Sequence, residues 1–140
     1  MTVRFITYYC RLNQSLLIKT YPLPRIGDTV QQLEGLQYAT SLDLNMVYYI
    51  IRLYPASRYM TMIVTESGKF RYNRLSMGMC ASGDIIQAKV DELIDNIKGA
   101  KIYIDNLLVL RKDSFEKQIE QLRIIVVRLR GAGLNVNAHK

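Results

Sequence analysis

The sequence predicts an α+β domain in which a sheet carries helices packed on one face. Three observations lead there. Hydrophobic residues make up 49% of the 140-residue chain, a composition that supports a folded core; at this size roughly two thirds of the unfolded surface is buried. Short β-rich runs bounded by turn residues alternate with two longer stretches of helical apolar spacing. No repeat, low-complexity tract or linker divides the chain, so residues 1–140 read as one domain.

Taken in order, "VRFITYY" (3–9) is rich in β-formers and reads as a strand. "LNQSLLIKTYPLP" (12–24) reads as an extended connection, because each proline biases its predecessor away from helix. "RIGDTVQQLEG" (25–35) suits a short helix stopped near Gly35. "QYATSLDL" (37–44) is a strand ending near Asp43, and "NMVYYIIRL" (45–53) fits a helical turn or a strand before Pro55 closes it. Residues 60–75 form a hairpin with Ser67-Gly68 at its turn. Over 81–97, Ile85, Ile86, Val90, Leu93 and Ile97 recur at helical spacing. "KIYIDNLLVL" (101–110) is a second hairpin with Asp105-Asn106 at its tip. Asp113 and Glu116 have capping-box spacing ahead of a last helix, whose apolar face is Phe115, Ile119, Leu122, Val126 and Leu129. Gly131 and Gly133 end it, and 134–137 starts another strand.

Charge and cysteine usage narrow the function classes. Nineteen Lys and Arg against 12 Asp and Glu give a formal +7, which suits either a polyanionic partner such as nucleic acid or plain solubility. Cys10, Cys80 and the lone His139 have no zinc-ligand spacing and no disulfide framework. An intracellular setting, cytoplasmic or nuclear, is therefore expected. No apolar stretch reaches the roughly 18 residues of a membrane span, and Met1 does not open a signal peptide.

Asp43 at a strand end and Asp105 at a hairpin tip are two acids that separate elements can bring together over one sheet. A two-metal phosphoryl-transfer site needs that arrangement, because Mg²⁺ takes carboxylate oxygens and keeps other positions for water and phosphate. An Asp at a strand end or turn also has a purely structural use, and these residues alone leave both open. The tyrosines at 8, 9, 48 and 49 suit base stacking or sheet packing. Met60, Met62, Met77 and Met79 read as core filler. Lys112, Lys117, Arg123, Arg128 and Arg130 either track a phosphate backbone or solvate the last helix.

Longer strings sharpen the choice. "YYCRLNQSLLIKTYPLPRI", "LEGLQYATSLDL", "GKFRYNRLSMG", "IYIDNLLVL" and "LRGAGLNVN", in that order, resemble the reverse transcriptase of gypsy-type LTR retrotransposon Pol polyproteins. The resemblance implies a polymerase palm (37–140) with part of the fingers (1–36). It also implies RNA-directed DNA polymerisation on an RNA or DNA primer–template with dNTPs, at a site holding two Mg²⁺ ions. Asp43 and Asp105 match the first two metal-binding carboxylates, and Asn106 stands where the family has a third. An amide offers only a carbonyl dipole to a hard cation, so metal binding should weaken.

Other departures surround the same centre. Tyr8 and Cys10 stand where the family has Asp and Arg. Val47 replaces a small residue before the sugar-sensing Tyr48, and Met77 takes the place of the residue packing under the nucleotide, next to a retained Gly78. Gln87 is retained too. Finger strands upstream, and the primer grip, thumb and RNase H segments downstream, are expected outside this chain. The resemblance thus implies an ancestral polymerase with its chemistry impaired or lost; a silent nucleic-acid-binding or interaction module, or a decayed remnant, is the alternative.

Overall fold

The computed structural model describes residues 6–22 and 35–137. Its main sheet is built from β1 (Tyr38–Asn45), β4 (Ala100–Tyr103), β5 (Asn106–Arg111) and β6 (Asn135–Val136). These strands pair antiparallel in the order β4-β5-β1-β6. A separate hairpin joins β2 (Met62–Thr65) to β3 (Gly68–Arg71). Directly paired residues share a sheet face, so Leu42, Leu107 and Ile102 line up on one side. Helices α2 (Ser82–Ile94) and α3 (Phe115–Gly131) cover that side. Ile86, Leu107, Val109 and Ile125 are fully buried in the core between them, each contributing about 1.5–3 kcal/mol.

The other face stays open toward the end of β1 that carries Asp43. There Ser41, Asn106 and Tyr103 are exposed. The α+β expectation with helices on one face therefore holds. No helix among the described residues is long and apolar enough to cross a membrane.

Several elements differ from the sequence expectation. Residues 3–5 of the first expected strand lie outside the described residues, and 6–9 form no strand. A short helix, α1 (Cys10–Ser15), stands where an extended connection was expected. The proline argument reaches back only to the residue before each ring, and Pro22 is too far away to unwind 10–15. The helix expected over 25–35 lies outside the described residues apart from Gly35. Residues Val47–Ile50 settle as a 3-10 turn, and Pro55 opens a second one, Pro55–Thr61, instead of only closing the preceding run. In the first hairpin the turn is Glu66-Ser67, one residue earlier than expected, and Gly68 begins β3 with φ +135°. Of the four methionines read as core filler only Met79 is buried, while Met60 and Met62 are exposed.

Helix α3 holds the largest correction. Its buried stripe is Gln118, Gln121, Ile125 and Leu129, while Phe115, Ile119 and Val126 face outward. The amides account for the rotation. Gln118 Nε2 donates to the Val109 carbonyl (3.2 Å) and to Thr40 Oγ1 (2.9 Å). Gln121 Nε2 donates to the Lys98 carbonyl (2.6 Å). Apolar residues in those places would leave buried acceptors unpaired, which costs about 1–3 kcal/mol per group. Its N-cap is Ser114, which accepts from the Lys117 amide (3.4 Å), rather than Asp113. The Glu116 carboxyl is held below its usual range by its own backbone amide and by Ser114.

Candidate active site

β1 delivers Asp43, directly opposite Asn106 of β5, which in turn pairs with Tyr103 of β4. That row crosses three strands on the open face. Because Tyr103 and Asn106 are the last paired residues, the two-residue turn is Ile104-Asp105. The sequence placed Asp105-Asn106 at the tip; the register moves Asn106 into the strand and puts the turn's positive φ on Ile104 (56°). Left-handed backbone is costly for a β-branched residue.

Gln87 holds this turn. It is fully buried on α2. Its Oε1 accepts from the Ile104 amide (2.7 Å), while its Nε2 donates to the Ile102 carbonyl (2.9 Å) and to Asp91 Oδ1 (3.2 Å). One side chain thus fastens the end of β4 and the first residue of the turn. The Leu44 amide, donating to the Asp105 carbonyl (2.7 Å), draws the tip onto β1.

The result is a small cleft lined by Asp43, Asp105, Val47, Tyr48 and Met77, together with Leu44, Asn45, Met46 and Asn137. Five of the seven residues singled out from the sequence meet there. Asn106 reaches it through its amide, which donates to Asp105 Oδ1 (3.2 Å). Gly78 does not line it. Any Cβ at 78 would overlap the Thr7 carbonyl, so glycine is required there for a close backbone approach. Val47 is 2% exposed and therefore forms core and cleft wall at once.

Sequence reasoning missed Asn137. Its backbone amide donates to the Asp43 carbonyl (2.8 Å) and its side-chain amide to Asp43 Oδ2 (3.4 Å). The run at 134–137 read as a strand, but nothing in it announced pairing beside Asp43. Of the two tyrosine pairs, Tyr8 is exposed, Tyr9 is buried against Tyr72, and Tyr48 and Tyr49 are half-buried.

Burial, and then the negative charge of Asp105, push the Tyr48 phenol above its ordinary value. The fold therefore prefers the protonated phenol. Its contribution is complete below the unfolded value near 10 and is lost as pH rises through the higher folded value. Urea midpoints at neutral and strongly alkaline pH should fall further for the unmodified chain than for Tyr48→Phe. Equal falls would show that this phenol carries none of the alkaline lability.

Among the described residues no group of three or more His, Cys, Asp or Glu side chains gathers. Two carboxylates, Asp43 and Asp105, line the cleft; they are oxygen donors of the kind a hard cation takes, and too few to clamp two.

The chain matches the family described as reverse transcriptase (RNA-dependent DNA polymerase) over residues 1–140. It belongs to that family. The retrovirus-related Pol polyprotein from transposon opus of Drosophila melanogaster is 30% identical over 139 residues, covering 98% of this chain and 14% of the polyprotein. The enzymatic polyprotein of Soybean chlorotic mottle virus is 26% identical, covering 98% of this chain and 20% of its own length. This reverse transcriptase domain thus spans about a fifth or less of those two relatives. Among solved structures, a prototype foamy virus protease–reverse transcriptase mutant superposes with a TM-score of 0.85 at 21% identity, over 95% of this chain and 18% of that one. The foamy viral enzyme in complex with double-stranded DNA gives 0.83 at 20% identity, over 96% and 24%. The mixed α+β fold resembles the palm-and-fingers arrangement of those reverse transcriptases, and the kinship is with retrotransposon and retroviral Pol polyproteins.

Proposed function

We propose that this chain is the palm (37–140) with part of the fingers (1–36) of a retrotransposon Pol reverse transcriptase. In this reading it still grips a primer–template, while nucleotidyl transfer is impaired. The observation that carries the proposal is the cleft where Asp43 and Asp105 meet, with Asn106 in the third position and its amide turned onto Asp105. Asp43 and Asp105 would hold Mg²⁺. A metal bound there supplies Lewis-acid activation of a primer 3′-hydroxyl and charge neutralisation at phosphate.

The protein's own residues set the rest. Tyr48 borders the space a deoxyribose would enter, Val47 narrows it, and Met77 forms the floor beneath a dNTP. Gly78, next to Met77, lets their loop lie against Thr7. The net charge of +7 favours contact with phosphates, and the setting we assign is intracellular, cytoplasmic or nuclear. Thumb and RNase H segments of a larger Pol polyprotein would complete the machine.

Primer extension on a primed RNA template, with Mg²⁺ or Mn²⁺, tests the reading beside a fluorescence-anisotropy titration of the same duplex. Binding should fall steeply with salt and show little base preference. Extension by the unmodified chain should be at least about a hundredfold below that of an intact family member, since each 1.4 kcal/mol of lost transition-state stabilisation is tenfold in rate. Asn106→Asp alone should recover little, because Val47 and Met77 still shape the pocket. Robust extension by the unmodified chain would overturn the impairment. Absence of duplex binding at low salt would overturn the retained grip and favour an interaction module instead.

A further inference from the structure

Each carboxylate of the cleft is held by a carboxamide. Asn106 Nδ2 lies 3.2 Å from Asp105 Oδ1, and Asn137 Nδ2 lies 3.4 Å from Asp43 Oδ2. The two asparagines come from different strands, β5 and the residue just past β6, and converge on the cleft from opposite sides of β1. The Asn137 backbone amide adds a second anchor by donating to the Asp43 carbonyl (2.8 Å). An amide NH₂ directed at a carboxylate oxygen does part of what a cation does, fixing the rotamer and easing the charge, without demanding a coordination shell.

We propose that Asn106 and Asn137 are positioning residues that organise Asp43 and Asp105 without a divalent cation. The substitution at 106 is then more than the loss of a ligand: it removes the cleft's dependence on metal for its shape. A carboxylate at 106 would lie next to Asp105 in sequence and directly across the strand pair from Asp43. Like charges in directly opposed positions destabilise a sheet, so a cation would be needed to hold all three. The inference rests on reading Asp43 and Asp105 as the inherited metal carboxylates.

The test is thermal unfolding of the full chain in excess EDTA and in millimolar MnCl₂. The unmodified protein should give nearly the same Tm in both, since two carboxylates hold Mn²⁺ too weakly to add measurable stability. Asn106→Asp should lose roughly 4 °C or more in EDTA and regain it with Mn²⁺. Adding Asn137→Ala to Asn106→Asp should raise the Mn²⁺ concentration needed for that recovery about tenfold, as loss of an outer partner of a metal ligand does; a purely structural role for Asn137 would leave the midpoint where it was. If Asn106→Asp does not fold, Asn106→Ser removes the amide without adding charge and should show a smaller loss that Mn²⁺ does not move. An unmodified chain destabilised by EDTA, or an Asn106→Asp variant indifferent to it, would overturn the proposal. A variant weakened in EDTA that Mn²⁺ fails to rescue would support the amide clamp while overturning the metal reading of the cleft.

Discussion

Gly78→Ala should lower stability by about 3 kcal/mol, the upper end of what overpacking costs, and drop Tm by roughly 10 °C. The methyl group would overlap the Thr7 carbonyl, and Tyr9 stands just beyond it. Neither side can give way easily. The loop at 78 is bolted to α1 by Asn13, whose side chain donates to the Gly78 carbonyl (3.0 Å) and accepts from the Cys80 amide (3.0 Å). Tyr9 is itself pinned by its hydroxyl, which donates to the Thr61 carbonyl (3.3 Å). Urea unfolding would read the loss directly. A variant as stable as the parent, but weaker only in nucleotide binding, would show that the glycine serves the ligand and not the packing.

Gln87→Leu should cost about 2–3 kcal/mol despite replacing a polar residue in a buried place with an apolar one. The substitution strips the partner from the Ile104 amide and from the Ile102 carbonyl together, and unpaired buried groups cost about 1–3 kcal/mol each. The turn it releases carries Ile104 at a φ of 56°. Relaxation there should be local. Hydrogen exchange at the Ile104 amide should quicken far more than at Val109, in the middle of the same sheet. Uniform acceleration across both strands would mean that Gln87 supports the whole core and not the tip.

Some of this architecture was legible in the sequence and some was not, for physical reasons. β1 and the α2 segment were found because period-two and helical spacing report burial against one surface. Asp43 and Asp105 were found as a pair because a strand end and a turn are where acids sit. The face of α3 was misread because its buried positions are glutamines, and hydropathy cannot tell an amide that satisfies a carbonyl from one that faces water. The tip of the second hairpin slipped by one residue because turn propensity favours Asp-Asn, while a buried glutamine from another helix sets the register. Asn137 was invisible for the same kind of reason. Its importance comes from pairing with a strand nearly a hundred residues earlier, as the Asp43 contact shows.

The strand order has a kinetic consequence. β1 lies at the centre of the sheet, yet its partners β5 and β6 both come from the far end of the described chain. The β2–β3 and β4–β5 hairpins can zip locally, but β1 must wait for distant strands, and such high contact order slows folding. During synthesis β1 would leave the ribosome with neither edge covered, and would stay so until β5 and finally β6 arrive. Asp43 and Asp105 therefore come face to face only once β5 has been made, and Asn137 joins them last, with β6.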